Sequence, residues 1–176
     1  MRQLAVVLAL AFCASPALAA SESSFAKLAD QYWDAELAHN PEYATQEGVH
    51  TYDTKLIDLS APAIKKYVAA QKQWQRRFAA VDATQLSPDE AIDLAVVQQA
   101  VRATLVDLEV YRRWCRLPRV YAEPAVGSIY LIVKRDFAPL AERMKDVIAR
   151  ELQVPKLIVA ARQNLDDVDP INIDLA

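Results

Sequence analysis

SPDEAIDLAVVQQAVRATLVDLEVYRRWC, residues 87–115, is the stretch that decides the fold. Its opening Ser87-Pro88-Asp89-Glu90 is a capping box with proline at the first helical position, so a helix start is written into the side chains themselves. Val97, Val101, Leu105, Leu108, Tyr111 and Cys115 follow at steps of three or four. Ile92, Val96, Ala103, Val106, Val110 and Trp114 form a second apolar stripe. The spacing predicts one helix of about 28 residues, roughly 42 Å long. A helix apolar on two sides needs neighbours on both. It is therefore expected to be central, and the neighbours it requires strain what the remaining chain can offer.

The flanking sequence continues the helical pattern. Of 176 residues only two are glycine, and β-branched residues are scattered among Ala, Leu, Gln, Glu, Lys and Arg, a composition that favours helices. A first helix is expected from Ser24 to His39, with Phe25, Leu28, Tyr32, Trp33 and Leu37 apolar, ended by Pro41. A second starts with Ser60 as cap and Pro62 in its first turn and runs to about Val81, with Ile64, Val68, Trp74, Phe78 and Val81 on one side. Its Lys65, Lys66, Lys72, Arg76 and Arg77 read either as a solvated face or as a partner-binding stripe. Two prolines between Leu117 and Val126 suggest a loop holding Arg119, Tyr121 and Glu123. Gly127 to Phe137 suits a short helix better than a strand, because a lone strand would lack a partner. Another helix is expected from Pro139, with Leu140, Met144, Val147, Ile148 and Leu152 as its apolar positions, and a last one from Pro155 to about Leu165. The fold class is all-α, an irregular multi-helix bundle.

At the N-terminus, Arg2, an apolar run from Leu4 to Phe12 and the small-residue triplet Ala17-Leu18-Ala19 have the layout of a secretory signal peptide. The expected division is a leader over residues 1–20 and a helical region over 21–176, periplasmic or secreted after cleavage. The run is too short for the roughly 20 residues of a bilayer span, so no stable membrane span is expected in the mature part. The alternative is a lipid anchor on Cys13. Cleavage would leave Cys115 as the sole cysteine, read as a small buried hydrophobe rather than a reactive thiol. A net charge of −3 with mixed signs gives no electrostatic case for nucleic acid.

The residues do not assemble a familiar catalytic set. His39 and His50 are the only histidines and no H-E-x-x-H is present. His39 reads as a metal ligand or, more simply, as a helix C-terminal histidine. There is no G-x-S-x-G elbow, and neither glycine belongs to a phosphate-cradling loop. Asp30 with Asp34 could pair as acid and base, as could Asp89, Glu90 and Asp93, but the latter suit the first turn of a helix. No catalytic, cofactor-binding or metal-binding residue is assigned.

Asn40 to Asp53 reads N-P-E-x-A-T-x-x-G-x-H-x-Y-D. This order resembles the N-terminal region of a bacterial family, domain of unknown function 885. Gly127-Ser128-Ile129-Tyr130, Lys134-Arg135-Asp136-Phe137-Ala138-Pro139-Leu140, Glu142-Arg143 and Val154-Pro155 resemble it too, in the same order. The resemblance implies a mostly helical, often exported and much longer parent, metallopeptidase-like because its C-terminal half carries an H-E-x-x-P-G-H element and so implies zinc. No position here matches that element. The expectation is an N-terminal fragment that is not catalytic alone, with the missing C-terminal half or a peptide substrate as partner. His50, Tyr52 and Asp53 are candidate cleft-lining residues; the simpler reading is a turn made by Gly48 with hydrogen bonds inside it. The alternative is a freestanding periplasmic binding module for a peptide or protein.

Overall fold

The computed structural model describes residues 23–168. Eight α-helices follow in order: α1 Ser24–His39, α2 Pro41–Gln46, α3 Ala61–Ala79, α4 Pro88–Val106, α5 Arg113–Arg116, α6 Arg119–Lys134, α7 Leu140–Glu151 and α8 Val154–Asn164. No strand occurs among the described residues, and the fold is all-α. No helix among them is long and apolar enough to cross a membrane. The expected leader with Cys13, and the ending over 169–176, lie outside the described residues.

Helix starts follow the written caps. Ser23 accepts the Ala26 N–H at 3.0 Å, and Ser60 accepts that of Ala63 at 3.4 Å. At α4 the Glu90 N–H donates to Ser87 Oγ at 3.2 Å, while the Ser87 N–H donates to Glu90 Oε2 at 2.9 Å. The capping box thus satisfies two groups that a helix end leaves unpaired.

The helices form two groups. In the first, α1, α3 and α4 bury Phe25, Tyr32, Phe78, Leu94, Val101 and Leu105 together. Tyr32 meets Trp74 and Phe78 edge-on, with ring centroids 5.6 and 5.4 Å apart, a preferred aromatic geometry. Each such buried side chain contributes about 1.5–3 kcal/mol of transfer free energy. In the second group, α6 packs on α7 and α8 around Ile132, Val147, Leu157 and Ala160. The small helix α2 touches both α1 and α6 and joins the groups.

Three expectations are corrected. The segment 88–115 is not one helix: it widens into a π turn at Asp107–Tyr111, and Arg112 is left-handed at φ 51°. The Arg112 N–H closes the wide turn on Asp107 O at 2.7 Å, and the following residues reach back to hold it. Arg113 grips the Asp107 carboxylate with two N–H groups, and the Trp114 indole donates to Leu108 O at 3.0 Å. The turn redirects the chain so that Cys115 is fully buried, as expected of a small hydrophobe, while Tyr111 is left exposed.

Residues 117–126 are not a loop. Helix α6 begins at Arg119, directly after Pro118, and carries Pro124 inside it. An interior proline removes a helical hydrogen bond, but tertiary contacts hold the segment: the Tyr121 hydroxyl donates to Trp114 O at 2.5 Å and accepts from Asn164 Nδ2 at 3.0 Å. From Gly127 onward the segment is helical, as the lack of a partner strand required.

Helix α7 is turned over relative to its apolar pattern. Its buried residues are Arg143, Val147 and Arg150, whereas Leu140, Met144, Ile148 and Leu152 are exposed. The two arginines go inside because backbone carbonyls accept from them there, four for Arg143 and two for Arg150. The basic stripe of α3 is a solvated face in part: Lys65, Lys66 and Arg76 are exposed, Lys72 pairs with Glu109 at 2.6 Å, and Arg77 lies 4.3 Å over the Trp74 ring.

Candidate functional site

The Asn40 to Asp53 segment folds as a clasp. Asn40 lies outside the helical region (φ −115°, ψ 75°), where a residue before proline is driven, and Pro41 opens α2 at its first position. Gly48 turns the chain at φ +83°, a conformation that L side chains rarely adopt, and His50–Tyr52 form a 3-10 turn. The turn carries Asp53, only 3% exposed, back against the fully buried Thr45 of α2. The Thr45 hydroxyl lies 2.5 Å from Asp53 Oδ1 and 3.0 Å from Pro41 O, and accepts Arg150 Nη2 at 2.6 Å. Asp53 Oδ2 lies 2.7 Å from His50 Nδ1, and the His50 ring stacks on Phe137 at 3.6 Å.

Arg150 is the centre of this cluster. It is fully buried, donates to Ser128 O at 2.7 Å and Pro41 O at 3.2 Å, and stands 3.7 Å from Asp53 Oδ1. Burial lowers its pKa, opposed by the negative charges of Glu42, Asp53 and Asp146. The second family-like segment closes on the first. Arg135 donates to the carbonyls of Thr45 and Gln46 at the end of α2, and Phe137 supplies the face beneath His50. Arg143 in turn donates to the carbonyls of Ile132, Val133, Arg135 and Ala138, and pairs with Asp136 at 3.0 Å. It thereby satisfies the orphan carbonyls at the end of α6.

Of the residues singled out from sequence, His50 and Asp53 are therefore hydrogen-bonded to one another, while Tyr52 stands apart with Lys55 Nζ 5.2 Å from its ring centroid. Thr45, Arg135 and Arg150 were not singled out. Thr45 and Arg135 carry a signal through the family-like segments that contain them, and Arg150 through α7, where Arg143 and Arg150 share a face with Val147 at steps of four and three.

A separate cavity of about 740 Å³ lies between the end of α1, α2, α3, the π turn and α6. Glu36, His39, Glu42, Tyr67, Trp114 and Ser128 are among its lining residues; His50, Tyr52 and Asp53 are not. Glu36 Oε2 accepts the Tyr67 hydroxyl at 2.7 Å, and Oε1 accepts Gln71 Nε2 at 2.5 Å. Glu42 Oε1 accepts the Ile57 N–H at 2.8 Å. Burial raises the pKa of both carboxyls, more than these hydrogen bonds lower it. His39 stacks on Tyr67 at 3.4 Å, and burial lowers its pKa to about 4. The helix C-terminal position does not win: desolvation keeps this imidazole neutral near pH 7.

Among the described residues no group of three His, Cys, Asp or Glu side chains could hold a metal ion. His39 faces Tyr67 and His50 is committed to Asp53, so the donor set present does not fit the zinc that the family resemblance implies.

Compared with known proteins, residues 41–170 match the family model described as bacterial protein of unknown function (DUF885). Among solved structures, the fold is similar to a protein of Shewanella oneidensis described as a candidate lipoprotein of unknown function. The TM-score is 0.80 at 26% sequence identity, covering 88% of this chain and 28% of that one. The chain thus spans well under two thirds of that relative's length. No curated protein matches it.

Proposed function

The chain belongs to this bacterial family of unknown function, and on that premise we propose that it is the N-terminal helical part of a longer exported, hydrolase-like protein and does not catalyse hydrolysis by itself. The observation that carries this reading is the apolar surface left open on two sides. Ile92 and Val96 of α4 are 63% and 61% exposed, and Leu140, Ile148 and Leu152 of α7 are 56%, 53% and 73% exposed. Tyr130 of α6 and Ile158 and Val159 of α8 are exposed as well. Large apolar side chains left exposed along successive turns of a helix point to a contact surface. The occupant fitting it is further helical chain of the same protein, since the similar Shewanella structure extends far beyond the matched part.

In this reading the clasp is structural. Arg150 through its two Nη groups, Asp53, Thr45 and His50 Nδ1 bond to each other and to backbone carbonyls, and none of the four residues lines the cavity. Metal-dependent peptide hydrolysis would then belong to residues elsewhere in the longer protein. Secretion or lipid anchoring accords with the leader and with the lipoprotein description of the relative.

The test is peptidase activity of the purified chain on a casein digest and on blocked dipeptides, with and without added zinc. The expected result is no turnover above buffer. Zinc-dependent turnover that co-purifies with the chain and is lost in Asp53→Asn would overturn the proposal.

A further inference from the structure

The 740 Å³ cavity has a chemistry the clasp does not use. Glu36 and Glu42 line it from the end of α1 and the start of α2, joined by Asp58, Asp107 and Glu123. Arg113 is the one cationic residue lining it, and its guanidinium is spent on Asp107. Glu123 has Arg119 at 3.7 Å. Among the described residues no ion pair reaches Glu36, Glu42 or Asp58. The donors on Glu36 and Glu42 are neutral: a phenol, an amide side chain and a backbone N–H.

A second observation points into the same space. Ser128 is 1% exposed and lines the cavity, yet its hydroxyl has no hydrogen-bond partner. Buried hydroxyls are normally bonded, so this group is left for an incoming donor or acceptor. Tyr67 and Trp114 add aromatic faces to the wall, and such faces attract cations. The volume is within the range of small-molecule and side-chain pockets.

We propose that this cavity holds the guanidinium of an arginine side chain on a bound peptide, set between Glu36 and Glu42 and reached by the Ser128 hydroxyl. A planar cation with five donors can bond two carboxylates and a hydroxyl at once. This goes beyond the function proposed above and does not depend on it, because the cavity is described by this chain's own lining residues. Burial raises the pKa of Glu36 and of Glu42, and at Glu42 the charge of Arg150 acts against it without forming an ion pair.

The experiment is a titration of the chain with N-acetyl-arginine-N-methylamide, followed by calorimetry and by NMR shifts of Tyr67, Trp114 and Ser128. Three comparisons accompany it: the citrulline analogue, which has similar shape without charge, methylguanidine, and the Glu42→Gln variant. Glutamine retains an acceptor for the Ile57 N–H and removes the charge. The expected result is saturable binding with shifts at those three residues, weakened at least about tenfold by citrulline and by Glu42→Gln. Methylguanidine should bind more weakly than the blocked residue. Glu109→Gln, which removes a carboxylate paired with Lys72 outside the cavity, should leave the affinity unchanged. No saturable binding, equal binding of citrulline, or shifts confined to other residues would overturn the cationic site. Equal binding of methylguanidine would overturn the peptide side chain as its occupant.

Discussion

Replacing Arg150 by methionine should be among the most damaging single changes in this chain. The side chain is fully buried and its fork is distributed over the Ser128 and Pro41 carbonyls and the Thr45 hydroxyl, with Asp53 Oδ1 at 3.7 Å. Methionine has similar reach and no donors, so the volume is largely kept while the bonds are lost. Each buried acceptor left without a partner costs about 1–3 kcal/mol. Asp53, 3% exposed, would also lose its nearby cation, and breaking a buried pair from one side costs about 3–5 kcal/mol. These terms describe one connected cluster and do not add. The expected total is about 3–5 kcal/mol, a large share of the roughly 5–15 kcal/mol that stabilises a domain. Urea unfolding followed by tryptophan fluorescence would show it as a lowered midpoint with an unchanged slope. Arg150→Lys keeps the charge but not the fork, and should fall between wild type and Arg150→Met. Pairing Arg150→Met with Asp53→Asn should give a coupling of at least about 0.5 kcal/mol. A loss below about 1 kcal/mol in Arg150→Met, or no coupling, would refute the view that this cluster holds α2 to α7.

Three further outcomes follow from the same structure. His39 should titrate near pH 4 by NMR: its folded pKa lies below the unfolded value, so its contribution to stability is complete above about pH 6.5 and is lost as pH falls toward 4. Glu36 and Glu42, whose pKa values are raised, act in the opposite sense, their burial penalty easing as pH falls, which makes the direct imidazole signal the cleaner readout. Gly48→Ala should destabilise by about 1–2 kcal/mol in urea, since φ is +83° while the space around an added methyl is open, leaving backbone conformation as the cost. Ser87→Ala removes one arm of the capping box and should cost about 1 kcal/mol, read as a small drop in thermal midpoint.

Local side-chain chemistry made much of the fold legible in the sequence. Ser60 and Ser87 mark helix starts because their hydroxyls accept the N–H three positions on, and Pro88 because its fixed φ suits the first helical position, and the structure places those starts where the pattern did. The π turn was not legible because no proline or glycine marks it; its hydrogen bonds come from Arg113 and Trp114, which read as ordinary helix positions. Pro118 and Pro124 signalled a loop locally, whereas Tyr121 and Asn164 hold a helix there across more than forty residues of chain. The buried face of α7 was not legible because most of its apolar positions point elsewhere than Arg143 and Arg150, which are buried beside Val147. Arg143 caps the carbonyls at the end of α6, while Arg150 reaches Ser128 O within α6 and Pro41 O at the start of α2. Thr45 lies in the family-like Asn40 to Asp53 segment, but its bond to Arg150 was not legible because 105 positions separate the two.

The central claim is that the open apolar faces of α4 and of α6 to α8 are contact surfaces for further chain. An environment-sensitive apolar dye titrated into the purified chain tests it most directly, with the Ile148→Lys, Leu152→Lys double variant alongside. Those two positions are 53% and 73% exposed, so the variant should keep its stability within about 0.5 kcal/mol for each substitution. The account predicts saturable dye fluorescence with the wild-type chain that falls markedly in the variant at unchanged stability. A monomer that binds no dye, or a variant that unfolds because those side chains are buried in solution, would contradict it.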